Sequence, residues 1–312
     1  MFASFSATAA VDPVDGALDR FVYRQVHMGM QVRVVLYATD EAVARAAAGT
    51  AFAEIARLDA VFSDYRADSE IARLAGRSGH QQVSEELFFV LQRATRLARQ
   101  TGGAFDPTVG ALTALWREAI DRQRLPQQAE IDSASRRSGY DKLALDSAAR
   151  TVEITAAGLR LDLGAIAKGY ILDHALAVLR EAGADRALVE AGGDIVAGAP
   201  PPARRGWSID VPHLSPAGEG RGCNLSLVDA AVSTSGDHAQ FIEMDGRRYS
   251  HTVDPRTGLG LTHRRTATVV AADGLTADGL ATALTIVEEA RMGELLEHYP
   301  SARAILSAAD CR

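Results

Sequence analysis

The segment FIEMDGRRYSH, residues 241–251, sets Asp245-Gly246 between two strand-like runs, the strongest short-range mark of a hairpin. A second hairpin is expected in KLALDSAARTVEIT, residues 142–155. Hairpins pair strands antiparallel, whereas a doubly wound sheet needs a helix between successive parallel strands. Helical segments are present here but do not alternate regularly with the strands. The expected class is therefore α+β: mixed helices and antiparallel hairpins.

The remaining elements fit that class. QVRVVLYA, residues 31–38, puts Val32, Val34 and Leu36 on one face of a strand. A helix follows, with Thr39 or Asp40 as its cap. Ser84 caps another, whose stripe runs through Leu87, Val90, Leu91, Ala94, Leu97 and Ala98 and ends at Gly102-Gly103. LRLDLGAIAKGYILDHALAVLREAG, residues 159–183, predicts strand, glycine turn and helix, with Leu172, Ala175, Leu176 and Leu179 inward and Gly183 as the stop. RALVEAGGDIVAG predicts a strand meeting a Gly192-Gly193 turn. TATVVAA, residues 266–272, is another strand, and a helix is expected from Thr276 until Pro300. Residues 1–20 form an expected loose leader with turns at Asp12-Pro13 and Asp15-Gly16, and residues 21–312 a single domain. No repeat of fixed period and no linker interrupt it.

With 33 basic and 40 acidic residues, the net charge of −7 comes without any basic cluster, which argues against a nucleic-acid partner. No run of about 18 apolar residues offers a membrane span. The start, MFASFSATAA, lacks the basic region of a signal peptide, so the chain as written reads as cytoplasmic, with the compartment left open. Cys223 and Cys311 are not spaced as a metal motif; one disulfide and two free thiols fit equally.

No Walker A, strand-to-helix G-x-G-x-x-G, H-E-x-x-H, G-x-S-x-G or C-x-x-C sequence occurs. Four other stretches are polar and glycine-rich. GGAFDPTVGAL, residues 102–112, reads by itself as a helix end and an Asp106-Pro107 turn into a new helix. LDLGAIAKGY, residues 161–170, brings a helix N-terminus and Lys168 together, a pairing that suits a phosphate. ADGLATAL, residues 277–284, puts Asp278 and Thr282 on one helical face, two hard oxygen donors of the kind Mg²⁺ takes. VSTSGDHAQF, residues 232–241, could form an anion nest and leads towards YSHTVDPRTG, residues 249–258, where His251 is a candidate proton carrier. Each stretch alone reads more simply as structure. Together they are the parts of Mg²⁺-assisted chemistry on a phosphate ester.

In their order and wording the motifs GGAFDPTVGAL with Leu115-Trp116, LDLGAIAKGYILDHA, GGDI, STSGD, HTVDPRTG and ADGLATAL resemble the ApbE family of FAD:protein FMN transferases, from about Met28 onwards. The resemblance implies an architecture related to duplicated T-fold units with FAD in the cleft between them. It implies transfer of FMN from FAD to a Thr or Ser hydroxyl of an acceptor flavoprotein, with release of AMP. By motif, Asp278 and Thr282 would hold Mg²⁺ with the backbone carbonyl of Ala165. Lys168 would meet the FAD phosphates and Asp162 a polar part of the same ligand. Met28, Tyr65, Ala104, Phe105 and Asp106 would line the FAD pocket, with Thr252 bordering it. His251 would sit at the reacting phosphate, as proton acceptor or electrostatic partner. Met30 stands where the family's early motif usually has threonine. Family members often carry an export signal or a lipoprotein cysteine, and neither is read here.

Two other functions share these residues: a Mg²⁺-dependent FAD pyrophosphatase yielding FMN and AMP, and a non-catalytic FAD-binding protein. A pure binder has no need of Asp278, Thr282 and His251 together. Sequence does not separate transferase from hydrolase, because the acceptor lies outside the chain.

Overall fold

Apolar alternation in the strands builds one central sheet, and helices cover the face that alternation makes hydrophobic. The computed structural model describes residues 18–211, 214–215, 218–219, 223–236, 241–244 and 246–306. The leader turns, Asp245 and Cys311 lie outside the described residues. Seven strands follow in the order Asp19–His27, Met30–Ala38, Ala187–Ala191, Asp194–Ala197, Ala230–Gly236, Thr266–Ala271 and Arg303–Ile305. Every neighbouring pair is antiparallel. Asp19 already pairs with Ala38, so the sheet begins two residues inside the expected leader.

The helices are α1 (Glu41–Phe62), α2 (Glu70–Leu74), α3 (Glu85–Gln100), α4 (Gly110–Arg122), α5 (Gln128–Arg136), α6 (Ala167–Glu181), α7 (Gly274–Ile286) and α8 (Glu289–Glu297). Asp40 Oδ1 accepts from Val43 N at 2.9 Å and Ser84 Oγ from Leu87 N at 3.2 Å, so α1 and α3 start at expected caps. Each such cap is worth about 1 kcal/mol. Helices α1, α6 and α7 share the main core with Val32, Val34, Leu36, Val189 and Val269 of the sheet. The opposite face carries Val35, Leu188 and Ile195, covered by the ribbon of Trp207–Val211 and Cys223–Leu227. A third core joins Leu112 and Trp116 of α4, Ile131 of α5, and Ile242 and Val253. None of the helices among the described residues is long and apolar enough to cross a membrane.

Met244 pairs with Arg247, and Leu145 with Val152, so both hairpins form. Residues 159–163, expected as a strand, make only an isolated bridge, Val109 with Arg160. Leu159, Leu161 and Leu163 are all buried, but the backbone bonds go to a loop: Gly110 N to Arg160 O at 3.1 Å and Asp162 N to Pro107 O at 2.9 Å. The helix expected from Thr276 to Pro300 is two helices. It breaks at Val287, extended at ψ 151°, where Arg265 Nη1 donates to Val287 O at 2.6 Å and so takes up a terminal carbonyl. Cys223 is disulfide-bonded.

Candidate functional site

Helices α6 and α7 touch where neither has a side chain. A Cβ on Gly169 would stand 2.0 Å from the Gly274 carbonyl oxygen, and one on Gly274 would stand 2.5 Å from that of Gly169. This contact lets the first turn of α6 aim its backbone into α7. Gly169 N donates to Asp278 Oδ2 at 3.1 Å. Asp173, one turn on, accepts from Gly274 N at 2.7 Å and Leu275 N at 3.1 Å, holding the start of α7. Burial pushes the Asp173 carboxyl up to about 7, against those two hydrogen bonds.

Lys168 leaves the same turn towards the sheet. Its Nζ lies 2.8 Å from Asp194 Oδ2, at the start of the strand after the Gly192-Gly193 turn. Asp194 Oδ1 accepts from Ser233 Oγ at 2.6 Å; Oδ2 has the ammonium near it but no well-aligned hydrogen bond. Burial pulls the Lys168 ammonium down, but the carboxylates of Asp194 and Asp278 outweigh it and its pKa stands raised. Lys168 is a lasting cation at neutral pH.

Asp278 is buried at 3% exposure. Burial first, and the nearby Asp194 carboxylate second, push its carboxyl up to about 7, while Lys168 and the Gly169 N–H draw it down. Its Oδ1 accepts no hydrogen bond from the described residues. One turn on, Thr282 Oγ1 lies 3.0 Å from Ser235 Oγ, on the strand that also carries Ser233. A buried carboxylate with one open oxygen, beside two hydroxyls, is short of positive charge, and its donors are hard oxygens. That set fits Mg²⁺. No cluster of three or more His, Cys, Asp or Glu suited to a metal occurs among the described residues, so a cation here would rest on one carboxylate with hydroxyl and carbonyl oxygens.

The structure therefore brings Lys168, in the first turn of α6, close to Asp278 of α7, with Thr282 one turn further along α7. Met28 and Gly29 form the two-residue turn between His27 and Met30, both at positive φ. That hairpin reaches the same place. A Cβ on Gly192 would stand 2.7 Å from Met30 Sδ and 4.0 Å from Lys168 Nζ. Gly192, at φ +56°, leaves that space to the methionine and the lysine.

A second group forms around Arg117 of α4, which sequence reasoning missed. Its guanidinium pairs with Asp64, meets Asp162 Oδ2 at 3.2 Å and lies 4.4 Å from the centre of the Tyr65 ring. Asp162 also accepts from Thr113 Oγ1 at 2.7 Å and from Gly164 N at 2.9 Å. Tyr65 is 77% exposed, a presented aromatic face with a cation behind it. Ala165 lies half-buried in the turn between Asp162 and α6.

Other expected residues are tied into the framework. Ala104 and Phe105 are buried in the main core, and Phe105 N donates to Thr101 Oγ1 at 3.1 Å. Both Asp106 oxygens are engaged, by Thr108 N at 2.8 Å, Thr108 Oγ1 at 2.6 Å and Tyr140 N at 2.9 Å. His251 is half-buried in the bend after Arg247–Ser250 and is engaged. Thr252 N donates to Ser250 Oγ at 3.0 Å, and its carbonyl accepts from Leu261 N at 2.9 Å. Arg256 pairs with Asp254 at 2.8 Å and Glu288 at 2.9 Å, and Trp116 Nε1 donates to Gly258 O at 2.8 Å. The turn after His251 is architecture, packed on α4.

Asp194 was missed too. It stands in the GGDI motif and opens a strand, DIVA, that is otherwise apolar and buried throughout. A charge in that setting must be paired.

The ApbE family model matches residues 28–306. The FAD:protein FMN transferase of Treponema pallidum (strain Nichols) is 32% identical over 302 residues, covering 91% of this chain and 83% of that protein. The Haemophilus influenzae FAD:protein FMN transferase is 31% identical over 250 residues, 77% of this chain and 72% of that one. Among solved structures, the apo form of Pseudomonas stutzeri flavinyl transferase ApbE superposes with a TM-score of 0.80 at 28% identity, covering 93% and 92% of the two chains. The ApbE protein of Thermotoga maritima gives 0.81 at 29% identity, covering 92% and 94%.

Proposed function

The chain belongs to the ApbE family, and we propose that it is a flavin transferase that moves FMN from FAD to a Thr or Ser hydroxyl of an acceptor flavoprotein, releasing AMP. The observation that carries this reading is the buried meeting of Lys168 at the start of α6, Asp194 at the start of its strand and Asp278 of α7. A positive helix end, a lasting ammonium and an under-satisfied carboxylate in one place suit a pyrophosphate with its cation.

In this reading the FAD pyrophosphate lies across the first turn of α6, where Lys168 binds its oxygens. Asp278 and Thr282, with the Ala165 carbonyl, hold Mg²⁺, which when bound neutralises charge on the phosphate oxygens. Asp194 keeps Lys168 extended and charged, and Ser233 orients Asp194. Tyr65 offers its face to a ring of the ligand, while Arg117 fixes Tyr65 and Asp162 in a common wall. Met28 shapes the tip of the neighbouring hairpin, and the 104–106 turn and Thr252 border the ligand through the backbone that frames them.

The acceptor hydroxyl oxygen attacks the FMN-side phosphorus. The bond from that phosphorus to the bridging oxygen breaks, and AMP leaves with that oxygen. His251 takes the hydroxyl proton. Charge grows on the non-bridging oxygens as the new bond forms, so Lys168 is worth more in the transition state than in the ground state.

Mass spectrometry tests the reading. The protein is incubated with FAD, Mg²⁺ and an acceptor domain bearing a target threonine. Gain of one FMN by the acceptor, with one AMP released, is expected. Free FMN and AMP with an unmodified acceptor would make the chain a hydrolase; intact FAD would make it a binder.

A further inference from the structure

A cavity of about 480 Å³ lies along the outer face of α3, away from the Lys168 cluster, and a second of about 210 Å³ adjoins it at the start of α7. Arg93 and Arg96 line both, and Arg99 extends the row along the first. The three arginines recur every third residue, so one helical face carries them all. Arg96 and Arg99 form no ion pair with any described residue, and Arg93 donates only to a neutral hydroxyl, Thr276 Oγ1, at 3.2 Å. Asp273, the one carboxylate on the walls, already accepts from Thr276 N at 2.7 Å and Thr276 Oγ1 at 2.9 Å.

Unpaired surface arginines alone would mean little. Here a buried group points the same way. Thr95 lines the larger cavity at 2% exposure, and its hydroxyl has no hydrogen-bond partner. A helical threonine ordinarily returns its hydroxyl to a carbonyl one turn back, and a buried hydroxyl left without a partner costs about 1–3 kcal/mol. Thr101, at the end of the same helix, makes that bond to Leu97 O at 2.9 Å, so the geometry of α3 does not forbid it. Phe89 and Leu145 supply an apolar wall, and Phe89 is 43% exposed.

We propose that this groove is a second binding site, for a small molecule that carries two or more phosphate charges on an apolar body. The guanidinium forks of Arg96 and Arg99 take phosphate oxygens, Thr95 donates its hydroxyl to one of them, and Phe89 carries the body. A cavity of this size is in the range of small-ligand sites. The site is separate from the flavin-transfer cluster, since none of its lining residues belongs to that cluster.

Titration calorimetry of the full chain with inorganic pyrophosphate, in EDTA so that no metal-phosphate complex forms, tests this. One site is expected, with affinity weakened about tenfold or more by Arg96→Ala and by Arg99→Ala, and weakened also by Thr95→Val. Lys168→Ala should leave this binding as it is. The proposal falls if pyrophosphate does not bind at millimolar concentration. It falls equally if Lys168→Ala abolishes the binding while the three α3 variants retain it. Arg96 and Arg99 are exposed, so their variants keep the fold, and a circular dichroism melt of each confirms that the comparison is between folded proteins.

Discussion

Gly169 N donates to Asp278 Oδ2 across 3.1 Å, and a Cβ at Gly169 would stand 2.0 Å from the Gly274 carbonyl oxygen. The carboxylate that would hold the cation is thus positioned by a close approach of two helices that only glycine permits.

Gly169→Ala is therefore expected to force α6 and α7 apart, at a cost of roughly 1–3 kcal/mol or more. Urea denaturation measures this. Stability within 0.5 kcal/mol of the parent, a range of about what surface changes give, would show that the approach is not required.

Asp194 is expected to hold Lys168 in its charged, extended form. Asp194→Ala leaves a largely buried ammonium without its partner, and breaking such a pair costs about 3–5 kcal/mol in full burial. Lys168 keeps some solvent, at 20% side-chain exposure, so the lower end is expected. The Lys168 pKa should also fall, because of the two carboxylates that raise it only Asp278 remains. NMR of the labelled lysine reads that shift directly, and an unchanged value would remove Asp194 from its role.

Asp173 should make stability fall as pH rises. Its folded pKa, about 7, lies above its ordinary value of 3.8, so between roughly pH 4 and 7 the native state keeps a proton the unfolded state has lost. Stability then declines across that window, by about 1.4 kcal/mol per pH unit for one proton, and levels off above it. Asp173→Asn should reduce the slope by about one proton. Denaturation midpoints at pH 5, 6, 7 and 8 in EDTA decide the matter; an identical slope in parent and variant would contradict it.

Much of the framework was legible because it rests on local chemistry. Ser84 and Asp40 cap helices by reaching three residues on, and the Gly192-Gly193 turn joins neighbouring strands. Lys168, Asp278 and Thr282 stood out only in combination with the other polar, glycine-rich stretches, since each stretch alone reads more simply as structure. Arg117 did not stand out at all. Its partners Asp64 and Asp162 are 53 and 45 residues away, and nothing local marks an α4 arginine as a junction. The false strand at 159–163 had a true cause: its leucines are buried in the core, but its hydrogen bonds go to residues 107–110. Periodicity reports burial, and a strand needs a partner as well.

Arg117 leads to a further expectation. Arg117→Ala frees Tyr65 and leaves Asp64 and Asp162 facing each other without their shared cation. The Michaelis constant for FAD should rise severalfold, with a smaller change in turnover, since the platform binds the ligand in ground and transition states alike. Equal losses in both constants would place Arg117 in the chemistry instead.

Asp278→Asn offers the sharpest comparison, because it keeps the side-chain volume and removes the charge. FMN gain by an acceptor domain is followed by mass spectrometry while Mg²⁺ is titrated against parent and variant. The parent should transfer FMN in proportion to bound Mg²⁺ and stop in EDTA. The variant, folded by circular dichroism, should lose transfer by about a hundredfold or more, as removal of a principal electrostatic group does. Transfer by Asp278→Asn at the parent's rate and with the parent's Mg²⁺ dependence would contradict the assignment of this cluster as the transfer site.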